Sequence, residues 1–400
     1  MTKKYTEELE RGYSVSTVME EAQRCLLCYD APCSKACPAG TDPAKFIRSV
    51  RFRNFKGAAE TIRINNALGA VCARVCPTER YCESGCSRCG IDKPIDIGGI
   101  QRFVTDFEAA CGMKVLEKGA ANGKRVAVVG SGPAGLQAAA TLLQLGYEVE
   151  IFEKADRAGG FLRTIPEYRL PETVVDGEIE RIVALGAVIH CGVDVDKAKF
   201  EELKAGYDAV LVATGVRKPM ILDIFQGNPN VVSAVDLLTE IRSKHGEKTV
   251  PASALVLGGG DSAMDAATTL KMLGVKDVIE VTRNEFRASD AEKATAHEMG
   301  VITIGGYTPA AVDGKTVTFK HSRLNSELKI EADLIVVALG QNIDNELGLP
   351  VERNEVVAEG TSVDGKVFVA GDIAKGDKTV VAAVNKGKLA AYEIHNRIGG

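Results

Sequence analysis

Residues 25–38 read CLLCYDAPCSKACP, and residues 72–86 read CARVCPTERYCESGC. Nine of the eleven cysteines fall in the first ninety residues of a 400-residue chain. Thiolates are soft ligands, and thiols grouped this densely bind metal or carry redox chemistry. The first run is spaced C-x2-C-x4-C-x3-C-P; the second is C-x3-C-P-x4-C-x3-C, through Cys72, Cys76, Cys82 and Cys86. Structural zinc also uses C-x2-C, but one zinc takes four ligands and this group of thiols exceeds that need. Haem attachment wants histidine after the pair, where Tyr29 stands. Ferredoxin-type runs end C-x3-C-P, their fourth cysteine ligating the other cluster. That ending is present at Cys37-Pro38, and a Cys-Pro pair recurs at Cys76-Pro77, although the middle spacing is x4 where ferredoxins have x2. Two [4Fe–4S] clusters account for the pattern better than two zinc sites.

A second kind of chemistry is written in glycine. VAVVGSGPAGLQAAATLLQLGYEVEIFEK, from 126, and ALVLGGGDSAMDAATTLKMLGVKDVIEVTR, from 254, each read strand, glycine turn, amphipathic helix, strand. They form an internal repeat of two dinucleotide-binding βαβ units. Gly130 suits the tight turn, Gly132 lets backbone approach a pyrophosphate, and Gly135 lets helix and strand pack closely. Glu153, ending the next strand, is placed for ribose hydroxyls. In the second unit Gly258, Gly260 and Ala263 keep the turn, but Arg283 stands where the acid would be, with Arg287 nearby. Those arginines favour a 2′-phosphate, and Glu285 between them repels it.

Two such units in one chain imply a flavoprotein that takes hydride from a nicotinamide nucleotide. KVFVAGDIAKGDKTVVAAV, from 366, is similar to the segment of two-dinucleotide flavoprotein reductases whose Gly-Asp pair contacts the ribityl chain, here Gly371 and Asp372. Disulfide reductases of that kind carry a cysteine pair after the first unit, whereas residues 154–190 contain no cysteine. Cys111 and Cys191 stand singly and are read as core residues. Electrons therefore leave through the N-terminal cysteines.

The elements that position these groups divide by composition. Residues 1–115 are read as a helical iron–sulfur domain and GMKVLEKGAANGK, from 112, as a connector. Thr17 to Glu20 fits a capping box, with Val18, Ala22 and Cys25 on one helical face. Residues 124–220 form the first part of an FAD domain, 221–332 an inserted NAD(P) domain, and 333–400 the second part of the FAD domain. VLVATG, ending at Gly215, and VVALG, ending at Gly340, mark the crossings. The fold class is thus α/β behind a helical cluster domain. The chain is long enough, at 45% hydrophobic residues, for several cores. It has 54 acids against 49 bases, no basic cluster, no signal-like start and no apolar run of membrane length. That composition argues against nucleic acid or a membrane as partner and for a soluble cytoplasmic protein.

RCLLCYDAPCSKACPAGTDPAKFIRS, FRNFKGAAETIRINNALGAVCARVCPTERYC, PIDIGGIQRFVTDFE, IPEYRLP, GDSAMDA and AGDIAKGDKTVVAAV carry a more specific likeness. Through them the chain resembles, end to end, the small-subunit family of NAD-dependent dihydropyrimidine dehydrogenases. It is also similar to the N-terminal half of the single-chain NADPH-dependent enzymes and to the glutamate synthase small subunit. The resemblance implies one cluster on Cys25, Cys28, Cys33 and Cys86, and another on Cys37, Cys76, Cys82 and Gln101. Cys72 and Cys89 are then spare, and either replacing Gln101 is the alternative. It implies FAD contacts from Gly130, Gly132, Ala134, Gly135, Glu153, Leu162, Arg169, Asp372, Thr379 and Val380. Nicotinamide contacts fall to Gly259, Gly260, Asp261, Ser262, Arg283 and Gly340. Two stretches depart from the family: GGFLRTIPEYRLP is one residue shorter before Ile165, and TRNEFRASDAEKA is shortened at the 2′-phosphate loop. Likeness to the bacterial NAD-dependent subunits favours NAD over NADP. The chain has no barrel for FMN and pyrimidine and no cysteine loop for ring protonation. The resemblance therefore implies that uracil or thymine is reduced on an FMN and iron–sulfur partner subunit with a barrel domain, in a heterotetramer. The alternative is the input subunit of glutamate synthase or of a ferredoxin:NADP oxidoreductase.

Overall fold

The computed structural model describes residues 4–399. In chain order, helices α1 (Val15–Gln23), α2 (Pro32–Lys35), α3 (Pro43–Arg51), α4 (Phe55–Arg63), α5 (Gly69–Val75) and α6 (Ile97–Ala110) come first. Then follow β1 (Arg125–Val129), α7 (Pro133–Gln144), β2 (Glu148–Glu153), α8 (Glu172–Leu185), β3 (Val188–Cys191), α9 (Lys197–Gly206) and β4 (Ala209–Val212). The next stretch holds β5 (Lys218–Pro219), β6 (Val231–Ser233), α10 (Ala234–Ser243), β7 (Ser253–Leu257), α11 (Asp261–Met272), β8 (Asp277–Thr282), α12 (Asp290–Glu298) and β9 (Ile302–Gly305). It continues through β10 (Tyr307–Asp313), β11 (Thr316–His321), β12 (Glu327–Glu331), β13 (Leu334–Val337) and β14 (Gln341–Asn342). Last come β15 (Val351–Glu352), β16 (Glu355–Val356), β17 (Val367–Val369) and α13 (Val380–Ile398). No helix among the described residues is long and apolar enough to cross a membrane.

The chain forms two compact units. One comprises Glu10–Leu162, Glu172–Val216 and the chain from Asn345 onward. Its helical part packs the apolar faces of α1, α3, α4 and α6 around Phe46, Ile47, Val50, Ile62, Ile100 and Val104. Its sheet is parallel, in the order β17-β4-β1-β2-β3. The VAVV run of β1 is buried because strands flank it on both sides. Helices α7 and α13 cross closely at Gly387, where a Cβ would come 2.1 Å from the Ala134 carbonyl oxygen.

The other unit comprises Arg163–Pro171 and Arg217–Asp344 with the N-terminal segment through Leu9. Its parallel sheet runs β6-β13-β7-β8-β9. α10 and α11 pack Leu237, Ile241, Met264 and Leu270 against Val256 and Val278, and the antiparallel strands β10, β11 and β12 bring Val317 and Phe319 onto Leu255 and Val281. Strand β13 lies between β6 and β7 in this sheet. The chain therefore changes unit at Asp344 and Asn345, beyond the expected 333, because the apolar LIVV completes this sheet first. The crossing segments β5 and β14 pair antiparallel with each other.

Two sequence expectations are corrected. The first capping box is built on Ser14: the Thr17 amide donates to Ser14 Oγ at 3.2 Å, and the Ser14 amide donates to Thr17 Oγ1 at 2.9 Å. Val18 and Ala22 reach the core from α1, but the helix ends before Cys25, which stands in the following loop. Cys111 and Cys191 are exposed rather than core residues. The first caps α6 where the connector begins, and the second ends an edge strand.

Candidate functional site

Two cavities in the helical domain gather the clustered cysteines. Cys25, Cys28, Cys33 and Cys86 line one, with Ile47 and Ile95. Cys37, Cys72, Cys76, Cys82 and Gln101 line the other. Local structure explains the gathering. Pro32 starts the short α2 that separates Cys33 from Cys37, α5 carries Cys72 and ends at Cys76, and α6 carries Gln101. Among the described residues no three cysteine sulfurs lie within 4.8 Å of one another. A single tetrahedral zinc would draw its sulfurs to about 3.8 Å apart, from Zn–S bonds near 2.3 Å.

Burial pushes Cys33 up to about 11, Cys72 up to about 12, and Cys76 and Cys82 further still. Such thiols are protonated without metal, so loading releases protons. Gln101 Nε2 donates to the Gly69 carbonyl at 2.8 Å. That bond fixes which end of the amide is which, leaving Oε1 as the free donor atom at the cavity. The spare thiols differ: Cys72 is buried at this same cavity, whereas Cys89 is exposed with Sγ 3.4 Å from the Glu83 carbonyl oxygen.

At the first glycine turn the residues divide the work as their positions require. A Cβ on Gly130, whose φ is +103°, would meet the Ala213 carbonyl oxygen at 2.5 Å, and one on Gly135 would meet the Gly130 carbonyl oxygen at 2.1 Å. Gly132 has no atom within 4 Å of that position, which leaves room for a pyrophosphate at the start of α7. Ala134 follows at the contact with Gly387. Glu153 is buried; its Oε2 accepts from the Ser131 amide at 2.9 Å and its Oε1 from the Ala155 amide at 2.9 Å. The carboxylate therefore holds the turn shut as well as facing it. Leu162, further along the chain, is fully buried. Asp372 Oδ1 is buried with no hydrogen-bond partner among the described residues, and burial raises its pKa. An orphaned acceptor there fits a ribityl hydroxyl. Thr379 caps α13, accepting from the Ala382 amide at 3.3 Å, and Val380 opens that helix.

In the other unit Gly259, Gly260, Asp261 and Ser262 form the turn into α11. Gly259 is closely packed on Thr282, whereas Gly260 has open space beside it. Asp261 Oδ1 accepts from the Ser289 amide at 3.3 Å. Arg283, Glu285 and Arg287 are exposed after β8, and the Gly340 carbonyl accepts from the Met220 amide at 3.0 Å. Arg169, assigned to the flavin by resemblance, belongs to this unit. It donates from Nη1 to both carboxylate oxygens of Asp265 at 2.7 Å and pairs with Glu292. Its fork is thus engaged here.

Sequence reasoning missed three groups, of which Tyr81 and Arg63 tie the helical part to the rest of their unit and Lys386 braces the loop at Asp372. Tyr81 Oη donates to Asp377 and lies 3.4 Å from Thr379 Oγ1, while Val381 lines the Cys37 cavity. Lys386 Nζ donates to the carbonyls of Gly371, Ala374 and Asp377 at 3.2, 3.1 and 2.9 Å, fixing the Asp372 loop. Arg63, fully buried, donates to Glu108 at 2.8 Å and to Glu178 at 2.6 Å. Tyr81 carried one signal, its place beside Cys82; the others carried none.

Comparison with known proteins agrees with this division. Residues 2–113 match the family model for dihydropyrimidine dehydrogenase domain II, 4Fe-4S cluster, and residues 124–387 that for pyridine nucleotide-disulphide oxidoreductases. The chain is 52% identical over 404 residues to the NAD-dependent dihydropyrimidine dehydrogenase subunit PreT of Escherichia coli K12, covering 99% of this chain and 98% of that protein. It is 31% identical to the glutamate synthase [NADPH] small chain of Azospirillum brasilense, covering 97% and 90%. Among solved structures, the thioredoxin reductase of T. acidophilum shares the fold at a TM-score of 0.55 and 20% identity, over 68% of this chain and 98% of that one.

Proposed function

Because the chain belongs to the PreT subunit family of NAD-dependent dihydropyrimidine dehydrogenases, we propose that it is the electron-input subunit of such an enzyme. In this reading it passes electrons between NADH and a partner that reduces uracil or thymine on FMN, in the cytoplasm and within a heterotetramer. When bound, FAD takes a hydride from the nicotinamide nucleotide and returns its electrons singly to the iron–sulfur clusters.

The chain's residues do the positioning. Gly130, Gly132, Ala134, Gly135, Glu153 and Leu162 would hold the pyrophosphate and ribose end of FAD, and Asp372, Thr379 and Val380 its ribityl and ring end. Gly259, Gly260, Asp261, Ser262, Arg283 and Gly340 would hold the nucleotide. Glu285 supports NAD, since a carboxylate between Arg283 and Arg287 repels a 2′-phosphate. Arg169 serves the nucleotide turn by holding the buried acids Asp265 and Glu292. Cys37, Cys76, Cys82 and Gln101 would ligate the cluster nearer the flavin, and Cys25, Cys28, Cys33 and Cys86 the farther one. The observation that carries the reading is the pair of cysteine-lined cavities, one of them bordered by Val381 of the helix that begins at Thr379. That adjacency supports the Cys37 cluster as first acceptor. The glutamate synthase reading shares the cofactors but rests on lower identity.

Anaerobic metal, sulfide and flavin analysis tests the proposal. About eight iron atoms and one FAD per chain are expected for two four-iron clusters. Stoichiometric zinc without sulfide would overturn it.

A further inference from the structure

We propose that Lys388 is a buried cation that raises the reduction potential of the iron–sulfur site built on Cys37 and holds that site against the flavin-side helix; this rests on the cluster reading above. Lys388 lies on α13 and is 9% exposed. The residue before it, Gly387, is the one packed backbone to backbone on Ala134 of the glycine turn, so the helix is fixed in place there. From that anchored point Nζ donates to the Ala39 carbonyl and lies 3.4 Å from Asn65 Oδ1. Ala39 is two residues past Cys37, inside the turn closed by the Gly40 amide on the Cys37 carbonyl at 3.0 Å. Gly40 adopts φ +70°, and a Cβ on it would stand 3.6 Å from Nζ. The lysine is therefore packed into the ligand turn itself.

Both acceptors are neutral, so neither cancels the ammonium charge. Burying a cation without a counterion is costly. Burial lowers the pKa of the Lys388 ammonium, and Cys37 is the group whose charge opposes that lowering. A four-iron site held by three thiolates and an amide is anionic and gains one further negative charge on reduction, the electron coming from the nicotinamide nucleotide by way of the flavin. A fixed positive charge at the ligand turn favours the reduced form, and in a low-dielectric interior it does so strongly. The same side chain joins the helix that opens at Thr379 to the loop that carries Cys37, so it also sets where that site stands.

The test uses the anaerobically purified holoprotein, with redox potentiometry followed by electron paramagnetic resonance, on Lys388→Met, Lys388→Gln and Lys388→Arg. In Met and Gln the ratio of reduced to oxidised Cys37-site cluster at fixed potential should fall about tenfold, or about 59 mV for a one-electron couple. Iron and FAD content and the other cluster's signal should stay at parental values, and Lys388→Arg should restore the parental potential. Equal potentials in all variants would overturn the inference. So would an equal shift of both clusters, an Arg variant shifted as far as Met, or loss of iron from both neutral variants, since each makes the lysine only a structural tie. Parent protein without iron and sulfide would overturn the cluster reading itself, and this inference with it.

Discussion

Glu280 couples stability to pH at the scale of one residue, although solvent does not reach it. It stands in β8 between Val256 and Thr303 in register, fully buried, with neither carboxylate oxygen hydrogen-bonded among the described residues. Burial alone pushes it up to about 8 from the ordinary 4.5. The folded state therefore keeps a proton that the unfolded chain releases in the ordinary carboxylate range. Below that range Glu280 costs nothing by ionisation. As pH rises from there towards 8, stability is lost at about 1.4 kcal/mol per pH unit, and above 8 the loss is complete. Glu280→Gln should raise the melting temperature at pH 8 and leave it nearly unchanged at pH 4.5; scanning calorimetry at both values checks this, and equal gains at both would reject the account. Gln101 is a residue of a different kind, with chemistry set by its one hydrogen bond to Gly69. In the proposed site it contributes a neutral oxygen where a thiolate would add charge. Gln101→Cys should lower the potential of that cluster alone, with FAD content unchanged. Potentiometry with paramagnetic resonance reads the difference, and identical potentials would remove Gln101 from the ligand set in favour of Cys72, the buried thiol of the same cavity.

At the scale of elements, a buried ionic staple joins α4 and α6 to α8. Arg63 reaches Glu108 and Glu178, the Ala70 amide donates to Glu178 Oε1 at 2.8 Å, and Arg181 pairs with Glu108 at 3.0 Å. Two cations and two anions thus balance across helices that belong to the cluster domain and the flavin sheet. Arg63→Met would leave the two carboxylates buried against a single arginine, a change that costs about 3–5 kcal/mol in comparable pairs. Urea unfolding of the variant should show that loss, while Lys56→Ala, a change at an exposed i,i+4 pair with Glu60, should show almost none. This staple also marks where sequence reading stops. The glycine turns were legible because each is closed within thirty residues by strand, helix and strand of the right period. The cysteine groups were legible by spacing, though spacing alone does not sort eight thiols into two cavities. Arg63 and Glu178 lie 115 residues apart, and Lys388 lies 349 from Ala39, so no local pattern announces either contact. The domain bound at 333 fell short of the crossing marked at Gly340 for a related reason: LIVV fits either sheet by composition, and only its pairing with β6 and β7 decides. Cys191 looked like a core thiol because VIHC reads as a buried strand, yet β3 has a neighbour on one side only.

For the whole molecule, the proposed function orders the carriers along the cluster-bearing unit. Tyr81 and Val381 join the start of α13 to the Cys37 cavity, whereas the residues lining the Cys25 cavity come from the helical domain. In the proposed function reduction enters at the nicotinamide nucleotide and leaves from the cluster domain, and the pyrimidine is met on a partner. The chain alone should then oxidise NADH with an artificial one-electron acceptor such as ferricyanide, at a rate that does not depend on uracil. Dihydrouracil should form only after the FMN-bearing partner is added. The assay separates three outcomes. NADH-dependent ferricyanide reduction without dihydrouracil supports the input role. Dihydrouracil produced by the isolated chain would place the pyrimidine site here and reject the division of labour. Failure to oxidise NADH by FAD-replete protein would reject the hydride path through the two glycine turns, because those turns are central to the binding apparatus proposed for that step.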